Sequence, residues 1–531
     1  MQQSLFPADD IRPQPTVSSS FKDALNSAQY EAVTTVDKPV LVIAGAGTGK
    51  TRTLVYKVAY LVDQGIPPEN ILLLTFTRKA AQEMLLRASL LMNSACENVM
   101  GGTFHAVANM LLRRYGHHLG YASNFTILDR SDSEGIVNLL KSSLHLTGSG
   151  KRFPAKRMII NIISQAVNKS MSIAELMEER YQHLLLYLDD IKMIHEQYVK
   201  FKFEHGLMDY DDLLVNFKQV LVEQPLVREE ISERFQYIMV DEYQDTNRTQ
   251  AKIVKMIAHA HNNVMIVGDD SQSIYSFRGA DFRNIMDFPS IFPDTRIIRL
   301  EENYRSTQSI LSVANAIIEK AREKFTKTLY TRIEGGQKPV VFSAGDESDQ
   351  ARFIARKIVA MRDEGKPLSN IAVLFRSGYH SYKLELELSN RQIIFEKRGG
   401  QKLTESAHIK DVVSYLRLLC NPHDLLSWNR VLLLLPKVGP QTARKILKTI
   451  RGAEDPLADL KQFPAKGVWE KGYAALLAML ESVAGEFLSP AGQFERVLEY
   501  YQDIFERVYH DDYPRRSKDL DQLKIILEGY T

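Results

Sequence analysis

A short apolar run that breaks into alternating glycines constrains the fold of this chain more than any other stretch. Val40 to Ile43 is followed by Ala44, Gly45, Ala46, Gly47, Thr48, Gly49, Lys50 and Thr51, and then by an amphipathic run from Arg52 to Gln64. The pattern predicts strand, loop and helix. Glycines let successive backbone N–H groups converge on one concavity, and the helix N-terminus behind them adds partial positive charge, so the loop is built for a polyphosphate. In that geometry Lys50 reaches the β- and γ-phosphates and the Thr51 hydroxyl ligates Mg²⁺. Ala44 stands where the strict pattern has glycine, which leaves the Gly-Lys-Thr core intact.

A chain of 531 residues is too long for one core and predicts several domains. Its 67 basic and 65 acidic residues nearly cancel, so a nucleic-acid partner would have to be met by a local patch. Two cysteines, Cys96 and Cys420, rule out a disulfide framework and fit a reducing compartment. No apolar run approaches the roughly 18 residues of a membrane span and no signal peptide precedes the domain, so a cytoplasmic protein is expected.

Residues 1–20 carry three prolines and a serine run, and are expected to form a disordered arm. Within it Gln2-Gln3-Ser4-Leu5-Phe6 is similar to peptides that dock on bacterial sliding clamps; an idle tail is the plainer reading. Gln29, ahead of the loop, carries the donor and acceptor that an adenine edge requires. A second strand, Ile71 to Thr77, places Thr75, Phe76 and Thr77 at the carboxyl edge of a parallel sheet, where ligands bind. The stretch Gly101 to Ala106, with His105, reads equally as a helix cap with core aromatics.

Strand signals fade from 107 to 206, where helices carry aromatic and basic residues, including Lys151 and Arg152. They return at Phe235 to Val240, an apolar run ending in Asp241 and Glu242 with Asp245 close behind. Asp241 suits a Mg²⁺ shell and Glu242 suits orienting or deprotonating a water. Another strand, Val264 to Gly268, leads to Gln272, Tyr275, Phe277 and Arg278, and aromatics beside a guanidinium offer a face for unpaired bases. After a strand at Arg296 to Leu300, Arg305 is a candidate γ-phosphate finger. A second α/β unit is predicted: strand 339–343, helix 347–363, strand 371–375. Leu434 to Leu447 then reads as helix, tight turn and helix, either an ordinary corner or a turn whose amides and Lys437 hold a DNA phosphate.

In this order the motifs resemble those of superfamily 1 DNA helicases of the UvrD/Rep/PcrA type, from about residue 21 onward. The resemblance implies an α/β fold with two RecA-like P-loop domains, the second incomplete, each with a mainly helical insertion. It places the first RecA-like domain at 21–106 and 207–299, its insertion at 107–206, the second domain at 300–398 and its insertion at 399–531. By position, Gln29 and Tyr304 are expected at adenine; Ala44 to Arg52, with Lys50 and Thr51, at the phosphates and Mg²⁺; and Asp241 and Glu242 at metal and water. Gln272 is expected to sense the γ-phosphate, and Arg305 to supply an arginine. Phe76, Thr77, His105, Tyr275, Phe277 and Arg278 are expected along single-stranded DNA. Phe277 stands where tryptophan is usual, and Arg78 where asparagine is common.

The implied activity is that of an ATP-dependent 3′ to 5′ DNA helicase acting on single-stranded and 3′-tailed duplex DNA in repair or replication. No segment is similar to the family's motifs V and VI. The expectation is therefore a missing C-terminal part, slow hydrolysis by this chain alone, and a complementing C-terminal segment or chain. The alternative is a catalytically weak regulatory protein that binds ATP and single strands.

Overall fold

The computed structural model describes residues 21–92, 96, 98–144, 153–398, 406–450, 453–485 and 487–528. The clamp-like peptide, Lys151 and Arg152 lie outside them. The chain divides into two compact units, Met1–Val340 and Val341–Thr531.

The first unit is built on strands β1 (Val40–Ala44), β2 (Ile71–Thr75), β3 (Met100–Thr103), β6 (Tyr237–Val240), β7 (Val264–Gly268) and β8 (Arg296–Leu300). They form one parallel sheet in the order β3-β2-β6-β7-β1-β8. A separate two-residue parallel pair, β4 (Thr126–Ile127) and β5 (Leu207–Met208), is too short to leave a periodic signal in sequence.

Alternation along β1 explains why its sequence is apolar throughout. Leu41 and Ile43 enter the core shared with helices Phe104–Tyr115, Tyr210–Glu223 and Arg248–Ile257. Val40, Val42 and Ala44 face the opposite core, beneath helices Lys50–Asp63 and Arg78–Leu91. A parallel sheet covered on both faces has no polar side to show. Residues between Val137 and Tyr198 hold a further core of their own, made by helices Arg130–Ser143, Lys156–Lys169, Ile173–Arg180 and Leu188–Glu204.

In the second unit the predicted helix is found at Glu347–Asp363, capped by Asp346, whose side chain accepts from the Asp349 N–H. Neither flanking strand forms: 339–343 and 371–375 carry no ladder among the described residues. A strand needs a neighbour for its N–H and C=O groups. These segments have none here, and Val341 and Leu374 stand 95% and 92% exposed. Helices of this unit from Ala407–Cys420 onward pack around Tyr415, Trp428, Phe494, Tyr501 and Phe505 among the described residues. Its helices Leu425–Leu434 and Pro440–Ile450 meet at a turn in which Lys437 adopts φ of +62°.

Candidate nucleotide and single-strand site

The site lies at the carboxyl ends of β1, β6 and β7, which are neighbours in the sheet. After β1 the loop turns through two left-handed glycines, Gly47 at φ +78° and Gly49 at +90°, a conformation that costs any other residue a steric clash. Thr48 is buried and spends its hydroxyl on the Gly45 carbonyl at 2.8 Å, bracing the loop from within. Gly49 caps helix Lys50–Asp63 without any side-chain bond, so the first amides of that helix are left for an anion. Ala44 does not belong to the cradle: it ends β1, fully buried and paired with Leu300. Ala46 offers its carbonyl to Asn303 Nδ2 at 2.6 Å. Arg52 turns away, donating to the Ala24 carbonyl at 2.8 Å.

Lys50 Nζ reaches across to Glu242 Oε2 at 2.6 Å, so the cation of the loop and the acid after β6 share one space. Glu242 is held at φ +49°, a strained conformation for a residue with a Cβ, and its N–H donates to Asp241 Oδ1 at 3.0 Å. Burial, with Glu242 alongside, pushes the Asp241 carboxyl up to about 7, and Lys50 offsets only part of that. Asp245 is also pushed up, to about 6, first by burial and then by Glu242; its buried Oδ1 has no partner among the described residues. Neighbouring acids that raise one another's pKa are eased by a cation between them. Among the described residues no three His, Cys, Asp or Glu side chains cluster to hold a metal alone. The Asp241 carboxyl and the Thr51 hydroxyl are oxygen donors of the kind a hard divalent ion takes.

Beside the glycine loop, Gln29 is more committed than its sequence suggested. Its Oε1 accepts from the Asn26 N–H at 3.2 Å in a capping box, and its Nε2 donates to the Thr48 carbonyl at 3.0 Å. One N–H and one lone pair of the amide remain. Tyr304 is half-exposed and accepts from Asn26 Nδ2 at 2.9 Å, which ties its segment to the start of the helix that carries Gln29. Arg305 is exposed, with its N–H on Asn303 Oδ1 and its Cβ only 2.8 Å from where a Gly47 Cβ would sit.

Aromatic rings line the surface beyond β2 and β7. Phe76 lies 5.7 Å from Tyr275, Tyr275 lies 5.9 Å from Phe277, and the Arg278 guanidinium sits 5.5 Å from the centroids of both Tyr275 and Phe277. Phe277 is 56% exposed, so this row is not core. Thr77 caps helix Arg78–Leu91 through the Ala80 N–H. His105 packs edge-on to Tyr210 at 6.0 Å, and burial lowers its pKa, leaving a neutral ring at pH 7. Beside them opens a cavity of about 270 Å³ of mixed polarity, with Arg78, Gln82, His105, Asn109 and Tyr210 among its walls and Ile127 and Leu213 on its apolar side.

Three residues escaped the sequence reading. Gln244 joins the acids to β7, donating to Glu242 Oε2 at 2.9 Å and accepting from the Asp269 N–H at 3.0 Å. An amide two residues past paired acids is the only local sign of that bridge. Asn303 laces the phosphate loop to the Tyr304–Arg305 segment, and Tyr210 faces the cavity; neither belongs to a local pattern.

The chain matches two family profiles, UvrD/REP helicase N-terminal domain over residues 25–293 and UvrD-like helicase C-terminal domain over 298–514. It is 34% identical over 520 residues to an ATP-dependent DNA helicase PcrA of Staphylococcus epidermidis (strain ATCC 35984), which covers 95% of this chain and 70% of that protein. To the ATP-dependent DNA helicase PcrA of Staphylococcus aureus (strain Mu50) it is 36% identical over 425 residues, 80% of this chain and 57% of the relative. The second profile corrects the expectation that the C-terminal part of the family is absent: a C-terminal family domain is recognised here.

Proposed function

The chain belongs to the UvrD/REP helicase family, and from that premise we propose that it is an ATP-driven motor that moves 3′ to 5′ on single-stranded DNA and opens 3′-tailed duplexes. One contact carries this reading: the 2.6 Å pair between Lys50 and Glu242. A triphosphate in the loop competes for Lys50, and a lysine drawn onto phosphate releases Glu242 to orient water. Asp241 and Thr51 would hold Mg²⁺, which supplies charge neutralisation at the phosphate oxygens. Arg305, Tyr304 and Gln29 close around the nucleotide, and Gln272 reports its γ-phosphate to the track.

Single-stranded DNA lies along Phe76, Thr77, His105, Tyr275, Phe277 and Arg278, stacking on rings that no core requires. Arg78, at the mouth of the cavity, adds a cation to that path. Lys437 and its turn hold duplex phosphate without reading sequence. No described helix is long and apolar enough to cross a membrane. The motor reading places the protein's work in the cytoplasm, in DNA repair or replication.

The test is ATP hydrolysis with and without oligo-dT. Stimulation by the oligonucleotide, lost in Glu242→Gln, is the expected result. Binding of both ligands with no stimulation would instead mark a regulatory single-strand binder, and binding of neither would sink both readings.

A further inference from the structure

A buried lysine outside the nucleotide and strand motifs ties the strand-binding loop to the phosphate loop. Lys327 Nζ lies 2.7 Å from Asp269 Oδ1 and 2.6 Å from Asp270 Oδ1, and its third bond goes to Ser271 Oγ at 3.0 Å. The Lys327 side chain is 4% exposed, as against 5% and 2% for its two partners. A surface lysine would hold nothing firmly, but a cation with three partners and almost no water fixes their positions.

The partners are the start of the loop that carries Gln272, Tyr275, Phe277 and Arg278. Asp269 is also the acceptor for Gln272 Nε2 at 2.7 Å, and its N–H is the group that Gln244 links to Glu242. Two residues further along the same segment, Leu329 packs over Gly45, where a Cβ would come within 2.5 Å of its Cδ2. Tyr330 exchanges backbone bonds with Glu301 and Asn303 at 3.0 and 2.7 Å, and Asn303 holds the Ala46 carbonyl. Residues 327–330 thus touch the phosphate loop, the Glu301–Asn303 segment and the strand-binding loop at once.

We propose that Lys327 is a positioning residue that couples the two ligands: it locks the Asp269–Arg278 loop to a strap that moves with the phosphate loop. Nucleotide binding then changes strand affinity, and the strand changes nucleotide affinity by the same factor. This rests on the motor reading above.

Coupling is measured without turnover, as the ratio of fluorescent oligo-dT dissociation constants with and without a non-hydrolysable ATP analogue and Mg²⁺. For the unaltered protein a ratio of about 5-fold or more, in either direction, is expected. Lys327→Met should bring it to within about 2-fold of unity while each ligand alone binds within about 3-fold of the unaltered protein, a pattern that a merely structural lysine would not produce. A ratio unchanged in Lys327→Met, or a ratio of unity in the unaltered protein, overturns the proposal. Should Lys327→Met lose both ligands together, the triple variant Lys327→Gln with Asp269→Asn and Asp270→Asn, which replaces the lysine and both carboxylates by amides, decides: loss of coupling supports the proposal and retained coupling overturns it. Failure of the unaltered protein to bind either ligand would instead refute the motor reading.

Discussion

Replacing Asp241 by asparagine should stabilise the nucleotide-free protein, and more so as the pH rises. The carboxyl sits at about 7 when folded, against an ordinary 3.8. Below 3.8 both folded and unfolded chains hold the proton, and nothing is lost. Between 3.8 and 7 the folded protein keeps a proton that the unfolded chain has released, so stability falls as pH rises through this window and levels off above it. At about 1.4 kcal/mol per pH unit, the carboxylate costs about 2 kcal/mol at pH 5 and about 4 kcal/mol at pH 8. Asparagine escapes that cost and keeps the oxygen that accepts from the Glu242 N–H.

Urea unfolding in EDTA at pH 5, 6.5 and 8, followed by far-ultraviolet circular dichroism, reads the effect. Tryptophan fluorescence would miss it, because Trp428 and Trp469 both lie in the second unit. The stability gained by Asp241→Asn should rise about 2.5-fold from pH 5 to pH 8. With Mg²⁺ and ATP present the order should reverse, since the asparagine cannot serve as an anionic ligand. A variant less stable than the parent at pH 8 in EDTA, or a gain independent of pH, would refute the reasoning.

Glu242→Gln should bind nucleotide at least as tightly as the parent, since Lys50 loses its competing anion, yet hydrolyse it about 100-fold or more slowly in a steady-state phosphate assay. Gly47→Ala meets both a φ of +78° and a contact 2.7 Å from Asn303 Nδ2, and should weaken nucleotide binding at least about 10-fold by titration. Phe277→Ala should cost about 1–3 kcal/mol of oligo-dT affinity with little change in melting temperature, whereas Phe277→Trp should hold or improve it. In the second unit Asp411 is buried and accepts from Arg430 Nε, Tyr501 Oη and Tyr509 Oη at 2.6, 2.7 and 2.7 Å; Asp411→Ala should lower that unit's stability by about 3–5 kcal/mol, read by tryptophan fluorescence in urea.

The parts of this molecule legible in sequence are those whose chemistry is local. Strand β1, its glycine loop and the following helix are written in consecutive residues, and so is the apolar strand ending in Asp241 and Glu242. The aromatic row was legible for a related reason: Tyr275, Phe277 and Arg278 crowd one exposed loop. Contacts between distant segments were not legible. Gln29 reads as a free amide until its capping box with Asn26 and its bond to Thr48 are seen, and nothing near Lys327 announces Asp269 and Asp270. The segments 339–343 and 371–375 show the opposite error, strand-like sequences that form no ladder because pairing is a property of neighbours and not of propensity.

Directional motion tests the central claim most directly. An oligonucleotide carrying biotin at one end and bound to streptavidin is mixed with the protein and Mg²⁺-ATP, and release of streptavidin is followed with time. A motor running 3′ to 5′ clears streptavidin from the 5′ end, only with ATP, and not when Lys50 is replaced by methionine. Release from the 3′ end alone, or no ATP-dependent release from either end while both ligands bind, would contradict it.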